Sequence, residues 1–166
     1  HFFNIKNKSI FTHVKLNIYP DGGVARIRIY GEMKINKKFG KKITNLTSVL
    51  SGATPIACNN EHFGRAENVL APGIGKNMGD GWETRRSRGK NFDWLILKCA
   101  TAGKVNKIQI DTHHFKGNYP DKCSVQAAYL NTRSSSKSIV NKSKNWKLLL
   151  GKVKLHAHKK HNFNNK

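Results

Sequence analysis

At 166 residues with 37% hydrophobic side chains, the chain fits one domain around one core, which we assign to residues 1–166, and it has no run near the roughly 18 to 20 apolar residues that a membrane helix needs. Its formal net charge of +22 makes nucleic-acid binding through a basic surface an alternative to an enzymatic function. The first residues lack the basic and apolar regions of a secretory signal, and three cysteines without CxxC spacing indicate thiols in a reducing, cytoplasmic compartment.

The first predicted elements are two strands joined by a turn. Residues 11–18 alternate between apolar and polar side chains, and the alternation resumes at 25–30. Proline, aspartate and glycine at 19–23 supply the chemistry of a tight turn. The sequence therefore predicts a β-hairpin, with an inward face made by Val14, Leu16, Ile18, Ala25, Ile27 and Ile29.

A single helix is predicted after this hairpin. Apolar residues recur at helical spacing over 43–51, and Gly52 follows as a candidate C-cap. The rest of the chain reads as short strands separated by polar loops. These strands are expected at 55–58, 93–99, 105–110, 123–129 and within 146–155.

Two segments near the end of the chain are expected to lie outside the packed structure. Residues 131–145 are dominated by serine, lysine and asparagine and predict a flexible polar loop. Residues 156–166 predict a basic tail. About eight strands and one short helix favour an all-β sandwich over alternating strands and helices.

Acidic residues are concentrated in the loops of this predicted sandwich. Seven of the nine acids fall between residues 61 and 121, together with ten lysines and arginines, so that this window has a charge of only +3. The remaining bases lie largely among asparagine and serine, which favours exposed loops over a selected nucleic-acid surface. Loops on a rigid sandwich commonly carry function, so we expect a functional site in the acid-rich loops.

Five motifs in these loops and strands, taken together and in order, resemble the allantoicase family. They are Asn17-Ile18-Tyr19-Pro20-Asp21-Gly22-Gly23-Val24-Ala25-Arg26, Glu61-His62-Phe63-Gly64, Met78-Gly79-Asp80-Gly81-Trp82-Glu83-Thr84-Arg85-Arg86, Asp93-Trp94, and Asp111-Thr112-His113-His114-Phe115-Lys116-Gly117-Asn118. The resemblance implies a jelly-roll β-sandwich of the galactose-binding-like type, present twice in a full-length chain, with this sequence as the second repeat. It also implies hydrolysis of allantoate to ureidoglycolate and urea in allantoin and purine degradation. The partners it implies are allantoate and either a second repeat or further copies of the chain. The alternative function is that of a catalytically incomplete repeat, a binding or assembly module whose basic surface could bind nucleic acid.

The implied substrate suggests which residue types a site should contain. Arginine suits its carboxylate because the guanidinium donates two parallel hydrogen bonds, and amides suit its ureido groups. Expelling urea needs a base for water and an acid for the leaving nitrogen. The catalytic candidates are Glu83, Asp111, His113 and Asp80, with His114 of the same chemical type. The substrate-binding candidates are Arg65, Arg85, Arg86, Asn68, Lys116, Asn118, His62 and Trp82.

Structural roles remain open for several of these candidates. Asp80 and Asp111 can instead cap turns, and Trp82 can instead belong to the core. We expect Glu83, Arg86, Asp111 and His113 to line one cleft and to form mutual ion pairs before substrate binds.

No metal or cofactor is predicted. His156-Ala157-His158 would place two imidazoles on one face of a strand, but neither a carboxylate nor a thiol lies near this pair in the sequence. A basic tail is the preferred interpretation of this segment. No P-loop, dinucleotide-binding fingerprint or nucleophile elbow is visible.

Overall fold

The computed structural model describes residues 5, 7–33, 43–89, 91–130 and 134–164. Within these ranges it contains ten strands, one α-helix and short 3₁₀ turns. The strands are β1 (Ile10–Tyr19), β2 (Gly23–Val24), β3 (Arg26–Met33), β4 (Ile43–Asn45), β5 (Thr54–Cys58), β6 (Trp82–Glu83), β7 (Asp93–Asp111), β8 (Lys122–Ala128), β9 (Lys147–Lys154) and β10 (Lys160–Asn164). The helix is α1 (Ser136–Ser143).

The 19-residue strand β7 connects two layers of the fold. Its first part, Asp93–Lys98, lies between β1 and β5, and its second part, Gly103–Asp111, lies between β3 and β10. One layer therefore runs β5-β7-β1-β8-β9 and the other runs β4-β3-β7-β10. Apolar side chains from both layers form one buried core, and the predicted all-β sandwich is confirmed.

The predicted hairpin is wrong, although both of its strands exist. β1 pairs with β7 and β8, whereas β3 pairs with β4 and β7, so that β7 separates the two. The glycines of the connecting turn instead allow its backbone to pack closely against the loop after β7. A Cβ on Gly22, which has φ of 126°, would lie 2.6 Å from the carbonyl oxygen of Asn118, and a Cβ on Gly23 would overlap the ring of Phe115.

The helix is also in a different place from the predicted one. Residues 43–45 form β4, and only Val49–Ser51 makes a short 3₁₀ turn. The apolar residues of this stretch do not form one buried face, because Leu46 is buried while Leu50 is 79% exposed.

The α-helix lies within the segment predicted to be a flexible polar loop. In α1, Ile139 is 5% exposed and belongs to a small cluster with Ile96 and Trp146. The Ser135 hydroxyl accepts a hydrogen bond from the amide of Ser138 and caps the helix. The helix thus covers the outer face of the first layer, and 131–133 lie outside the described residues.

The predicted basic tail is wrong for the residues of β10. This strand pairs with β7, and both His161 and Phe163 are fully buried. Lysines and asparagines alternate with these two side chains. The polar composition of the segment therefore obscured a strand with one buried face.

The outer face of β1 is more deeply covered than the alternation predicted. His13, Lys15 and Asn17 are all buried, with exposures of 3%, 6% and 2%. The Lys15 ammonium lies 5.4 Å from the centre of the Trp94 ring and 5.9 Å from that of Phe92. These contacts bury the aliphatic stem and place the charge against aromatic faces.

All three cysteines are free thiols. Cys99 and Cys123 are buried, and burial raises the pKa of each thiol to about 12. The structure thus places these two as small core residues. Among the described residues there is no helix long and apolar enough to cross a membrane.

Candidate active site

A cleft of about 560 Å³ opens where three loops and the turn after β1 meet. Its volume lies in the range of small-molecule sites. Carboxylate, guanidinium, amide and aromatic groups all face it. Residues that line it include Asp21, Phe63, Glu83, Arg86, Arg88 and Asn118.

The ring of Phe115 packs between the loops that form the cleft and fixes their positions. Its ring is fully buried and lies against both Gly23 and Gly81, where a Cβ would come within 1.8 Å and 2.7 Å of ring atoms. The absence of side chains at these two glycines lets the β2-β6 ladder approach the loop after β7. Phe115 therefore fixes the spacing between Glu83 and Asn118.

Trp82 anchors the same ladder on its other side. It is fully buried, and its indole nitrogen donates a 2.7 Å hydrogen bond to the Asn60 carbonyl oxygen. The amides of Phe63 and Gly64 both donate to the carbonyl oxygen of Glu83. The 60–64 loop is thus bonded directly to the strand that carries Glu83, and Trp82 is a core residue rather than a wall of the cleft.

The Glu83 carboxylate is positioned by an amide. Its Oε1 accepts a 2.6 Å hydrogen bond from Nδ2 of Asn118, and the side chain is half-buried. Over the part of the chain that the structure describes, no ion pair involves Glu83 or Arg86. The expected mutual ion pairs are therefore not formed, and the guanidinium of Arg86 is exposed toward solvent.

The segment of residues 86–88, which carries two arginines at the rim of the cleft, is fixed through its backbone. Oδ2 of Asp21 accepts a 2.6 Å hydrogen bond from the amide of Ser87, which lies between Arg86 and Arg88. The buried Thr84 hydroxyl also donates to the Gly22 carbonyl oxygen. These bonds hold two guanidinium groups near the carboxylate of Glu83 without neutralising either.

The structure brings together only some of the predicted site residues. Glu83, Arg86 and Asn118 line the cleft. Asp111 and His113, which we expected beside them, are not among its lining residues. Asp111 is fully buried, its Oδ1 accepts from the His113 amide at 2.9 Å, and its Oδ2 lies 3.9 Å from Nη1 of Arg28.

Asp80 takes the capping role that the sequence left open. Its Oδ2 accepts a 2.6 Å hydrogen bond from the amide of Lys76, and this bond is the main cause that lowers the pKa of Asp80. The nearby guanidinium of Arg26 donates to the Asp80 carbonyl oxygen. Asp80 therefore shapes the loop that precedes Trp82.

The other predicted binding residues lie elsewhere in these loops. Asn68 donates to the carbonyl oxygens of Gly79 and Gly81, so it joins two loops. Arg65 forms an exposed ion pair with Glu67 at 3.2 Å. The remaining three, outside the lining of the cleft, are exposed: His62, Arg85 and Lys116.

Sequence reasoning missed other residues of the cleft. Phe63 and Asp21 both face it, as do Tyr119 and Asp121. Asp21 was interpreted only as a turn residue, because its partner Ser87 lies 66 positions away. The motifs recognised in the sequence contain Asp21 and Phe63, whereas Tyr119 and Asp121 follow the last motif. Local spacing gives no sign of which side chains face a shared cavity.

The arrangement offers acid-base chemistry beside an anion-binding rim. A half-buried carboxylate with one oxygen held by an amide can exchange protons with a bound molecule. Two exposed guanidinium groups can bind a carboxylate of that molecule through paired hydrogen bonds. Phe63 and Tyr119 supply apolar surface beside these polar groups.

Comparison with known proteins places the chain in a family. The family described as "Allantoicase repeat" matches residues 1–34 and 44–166. A protein described as "Probable allantoicase 1" from Burkholderia mallei is 46% identical over 165 residues, which cover 98% of this chain and 49% of that protein. A "Probable allantoicase" from Photobacterium profundum is 46% identical over 160 residues, 95% of this chain and 48% of that protein.

The fold agrees with this assignment. The crystal structure of allantoicase from Saccharomyces cerevisiae superposes with a TM-score of 0.62 at 20% identity, covering 96% of this chain and 66% of the other. At that identity the likeness concerns the fold alone. The chain spans about half the length of the curated relatives that it matches. From the match of the family over nearly all of its residues, the chain belongs to the allantoicase family.

Proposed function

We propose that this protein is an allantoicase-like hydrolase that converts allantoate and water to ureidoglycolate and urea in allantoin degradation. The observation that carries the proposal is the cleft in which Glu83, held by Asn118, lies beside Arg86 in a chain of this family. The substrate is an anion whose central carbon bears a carboxylate and two ureido groups. Each of these groups has a chemical counterpart in the cleft.

Arg86 and Arg88 bind the substrate carboxylate in this proposal. Neither is paired with an acid among the described residues, so neither has to break an ion pair first. The planar fork of a guanidinium matches a carboxylate in two parallel hydrogen bonds. Binding at the rim directs the central carbon toward Glu83.

Glu83 acts first as a general base for water and then as a general acid for the leaving nitrogen in this proposal. Its carboxylate takes a proton from water as the water oxygen bonds to the central carbon, and the bond from that carbon to one ureido nitrogen breaks. The same proton passes to the departing nitrogen, and urea leaves. The other hydrogen of the water remains in the new hydroxyl group of ureidoglycolate. Asn118 holds Oε1, which leaves Oε2 for the water.

Urea release from allantoate tests this proposal, on the chain alone and on a longer protein that contains it. We expect Glu83→Gln to lower kcat by about 10²- to 10⁴-fold, the usual contribution of acid-base catalysis. We expect Arg86→Ala to raise KM by about tenfold or more, because one charge-assisted hydrogen-bond pair is lost. Circular dichroism and thermal unfolding should remain close to those of the parent.

Two exposed charged residues away from the cleft provide controls. Glu67→Gln removes a carboxylate that is paired with Arg65, and Lys137→Ala removes a positive charge from α1. Both should leave urea release within about twofold of the parent, as expected for surface changes. Full activity of Glu83→Gln would contradict the assigned role of this carboxylate.

The partner of this chain is part of the proposal. Because the matched relatives are about twice as long, we propose that a second repeat, or a second copy of the chain, completes the functional protein. A location in the cytoplasm, where thiols stay reduced, agrees with the three free cysteines. A chain that folds but releases urea only when joined to a partner repeat would establish the alternative, a catalytically incomplete module.

A further inference from the structure

Three histidines from two distant segments meet beside the end of β7. His113 and His114 follow β7, and His158 lies in the turn before β10. Their candidate ligand atoms all lie within 4.8 Å of one another. The rings of His113 and His158 are stacked with centroids 4.1 Å apart, and the centroids of His114 and His158 are 5.7 Å apart. None of the three lines the cleft that contains Glu83.

The backbone holds these two segments in a fixed relation. The Thr112 hydroxyl contacts the carbonyl oxygens of His156 and Lys159 at 2.6 Å and 3.0 Å, and the Lys159 amide donates back to it at 3.1 Å. His114 and His158 both have positive φ, 70° and 49°, which is uncommon for residues other than glycine. These conformations turn both imidazoles toward His113.

The two hydrogen bonds of the cluster affect a ligand differently. Nδ1 of His158 accepts a 2.9 Å hydrogen bond from the amide of His114, so a metal ion must either displace this amide from Nδ1 or select the other tautomer, with its lone pair on Nε2. Nε2 of His114 contacts the Gly75 carbonyl oxygen at 2.8 Å, so its Nδ1 remains.

A buried carboxylate lies next to the cluster. Oδ1 of Asp111 accepts from the amide of His113, while its Oδ2 is buried and has no hydrogen-bond partner. The guanidinium of Arg28 lies 3.9 Å from this oxygen, at the outer limit of an ion pair. A positive ion bound by the imidazoles would be stabilised by this charge.

We propose that His113, His114 and His158 bind one divalent first-row transition metal ion, with zinc as the reference ion. Three neutral imidazoles favour Zn²⁺, Co²⁺, Ni²⁺ or Cu²⁺ over Mg²⁺ and Ca²⁺, which prefer oxygen ligands. With Zn–N bonds of about 2.0 to 2.1 Å, the ligand nitrogens of a tetrahedral site lie about 3.4 Å apart. The stacked rings of His113 and His158 must therefore rotate relative to each other when they bind one ion. His158 is exposed, so the fourth position faces solvent and is filled by water.

This site differs from the metal pair that the sequence suggested. His156 and His158 do not point together, because the ring of His156 is stacked on that of His161, with centroids 6.0 Å apart. His158 instead joins two histidines more than 40 positions earlier in the chain. His156 therefore provides a control that removes an imidazole two residues from a proposed ligand.

Zinc binding to the chain, measured by competition with a chromophoric chelator, tests the proposal without any substrate. We expect one equivalent of Zn²⁺ to bind and to raise the thermal unfolding midpoint, because the ion joins two segments of the native fold. His113→Ala and His158→Ala should each weaken binding by more than about 100-fold, beyond the 10- to 100-fold effect of indirect partners. His156→Ala should bind as the parent does.

Two further measurements separate the proposed site from other histidines and from misfolding. His114→Asn keeps a residue that tolerates positive φ, so it should fold as the parent does and still lose tight binding. Co²⁺ should give the intense visible bands of a tetrahedral nitrogen site, without a thiolate charge-transfer band. Absence of stoichiometric Zn²⁺ binding to the parent, or its persistence in both His113→Ala and His158→Ala, would overturn the assignment.

Discussion

His13 is a histidine buried in the outer face of the first layer. It is 3% exposed, and its Nδ1 lies 2.8 Å from the Thr12 hydroxyl. Its ring packs edge to face with the ring of Trp146, with the two centroids 6.0 Å apart. Burial, and then the charge of Lys98, lowers the pKa of His13 to about 4. The folded protein therefore keeps this imidazole neutral at a pH where an unfolded chain would protonate it.

Stability should fall as the pH is lowered through this interval. The contribution of His13 is fully present above about pH 6.5, its unfolded pKa, and is lost progressively as the pH falls toward 4, because the unfolded state binds the extra proton. His161 acts in the same direction, since burial lowers its pKa as well. Urea denaturation at a series of pH values should show the decline.

Replacing His13 tests how much of this decline it causes. We expect His13→Gln, which can still bond the Thr12 hydroxyl, to reduce the slope of unfolding free energy against pH by up to about one proton between pH 6.5 and 4. The exposed His62 is the matched control, and His62→Gln should leave the slope unchanged. An unchanged slope in His13→Gln would show that His13 is not protonated on unfolding.

At the scale of elements, α1 shows how one apolar residue can anchor a polar segment. Ile139 packs with Ile96 and Trp146, while most other positions of the helix are polar. The cluster covers the outer face of β7, so that this part of the sheet is buried on both sides. A helix this short depends on packing rather than on its own propensity.

Removing that anchor should destabilise the domain measurably. We expect Ile139→Ala to lower the free energy of unfolding by about 2 to 4 kcal/mol, the range for large-to-small changes at buried aliphatic residues. Lys137→Ala, on the exposed side of the same helix, should change it by less than about 0.5 kcal/mol. Chemical denaturation measures both. Equal stabilities of the two variants would mean that α1 does not contribute to the core.

At the scale of the whole molecule, the charge is distributed unevenly. The window of 61–121 is nearly balanced at +3, while the rest of the chain carries 21 bases and two acids. Most residues that line the cleft lie within the balanced window, and Asp21 adds one more carboxylate to its lining. The strong positive field therefore comes mainly from residues away from the candidate active site.

This distribution predicts how the chain binds polyanions. We expect weak binding to random-sequence duplex DNA at low salt, with an affinity that falls steeply as salt rises, because counterion release drives it. Glu83→Gln should not affect this binding, since the cleft takes no part in it. Fluorescence anisotropy of labelled DNA at several salt concentrations measures this affinity. Tight, sequence-dependent binding at physiological salt would instead favour a nucleic-acid function.

The sequence by itself determined the family and the longer strand segments, although it missed β4 and β10. The period-two alternation of Val14, Leu16 and Ile18 correctly predicted an inward face, because successive side chains of a strand point to opposite sides. The sequence also contains the family motifs that include Glu83, Arg86 and Asn118. Alternation is a local property, however, and it does not specify which strand lies alongside.

Only the tertiary structure decided the pairing and the composition of the sites. β7 lies between β1 and β3, so the turn at 19–23 packs against Asn118 and Phe115 instead of closing a hairpin. The same long-range packing places Glu83 beside Asn118, buries Asp111 and gathers His158 with His113. These contacts join residues 35 or more positions apart, and their geometry depends on buried surfaces that form only when the whole sandwich closes.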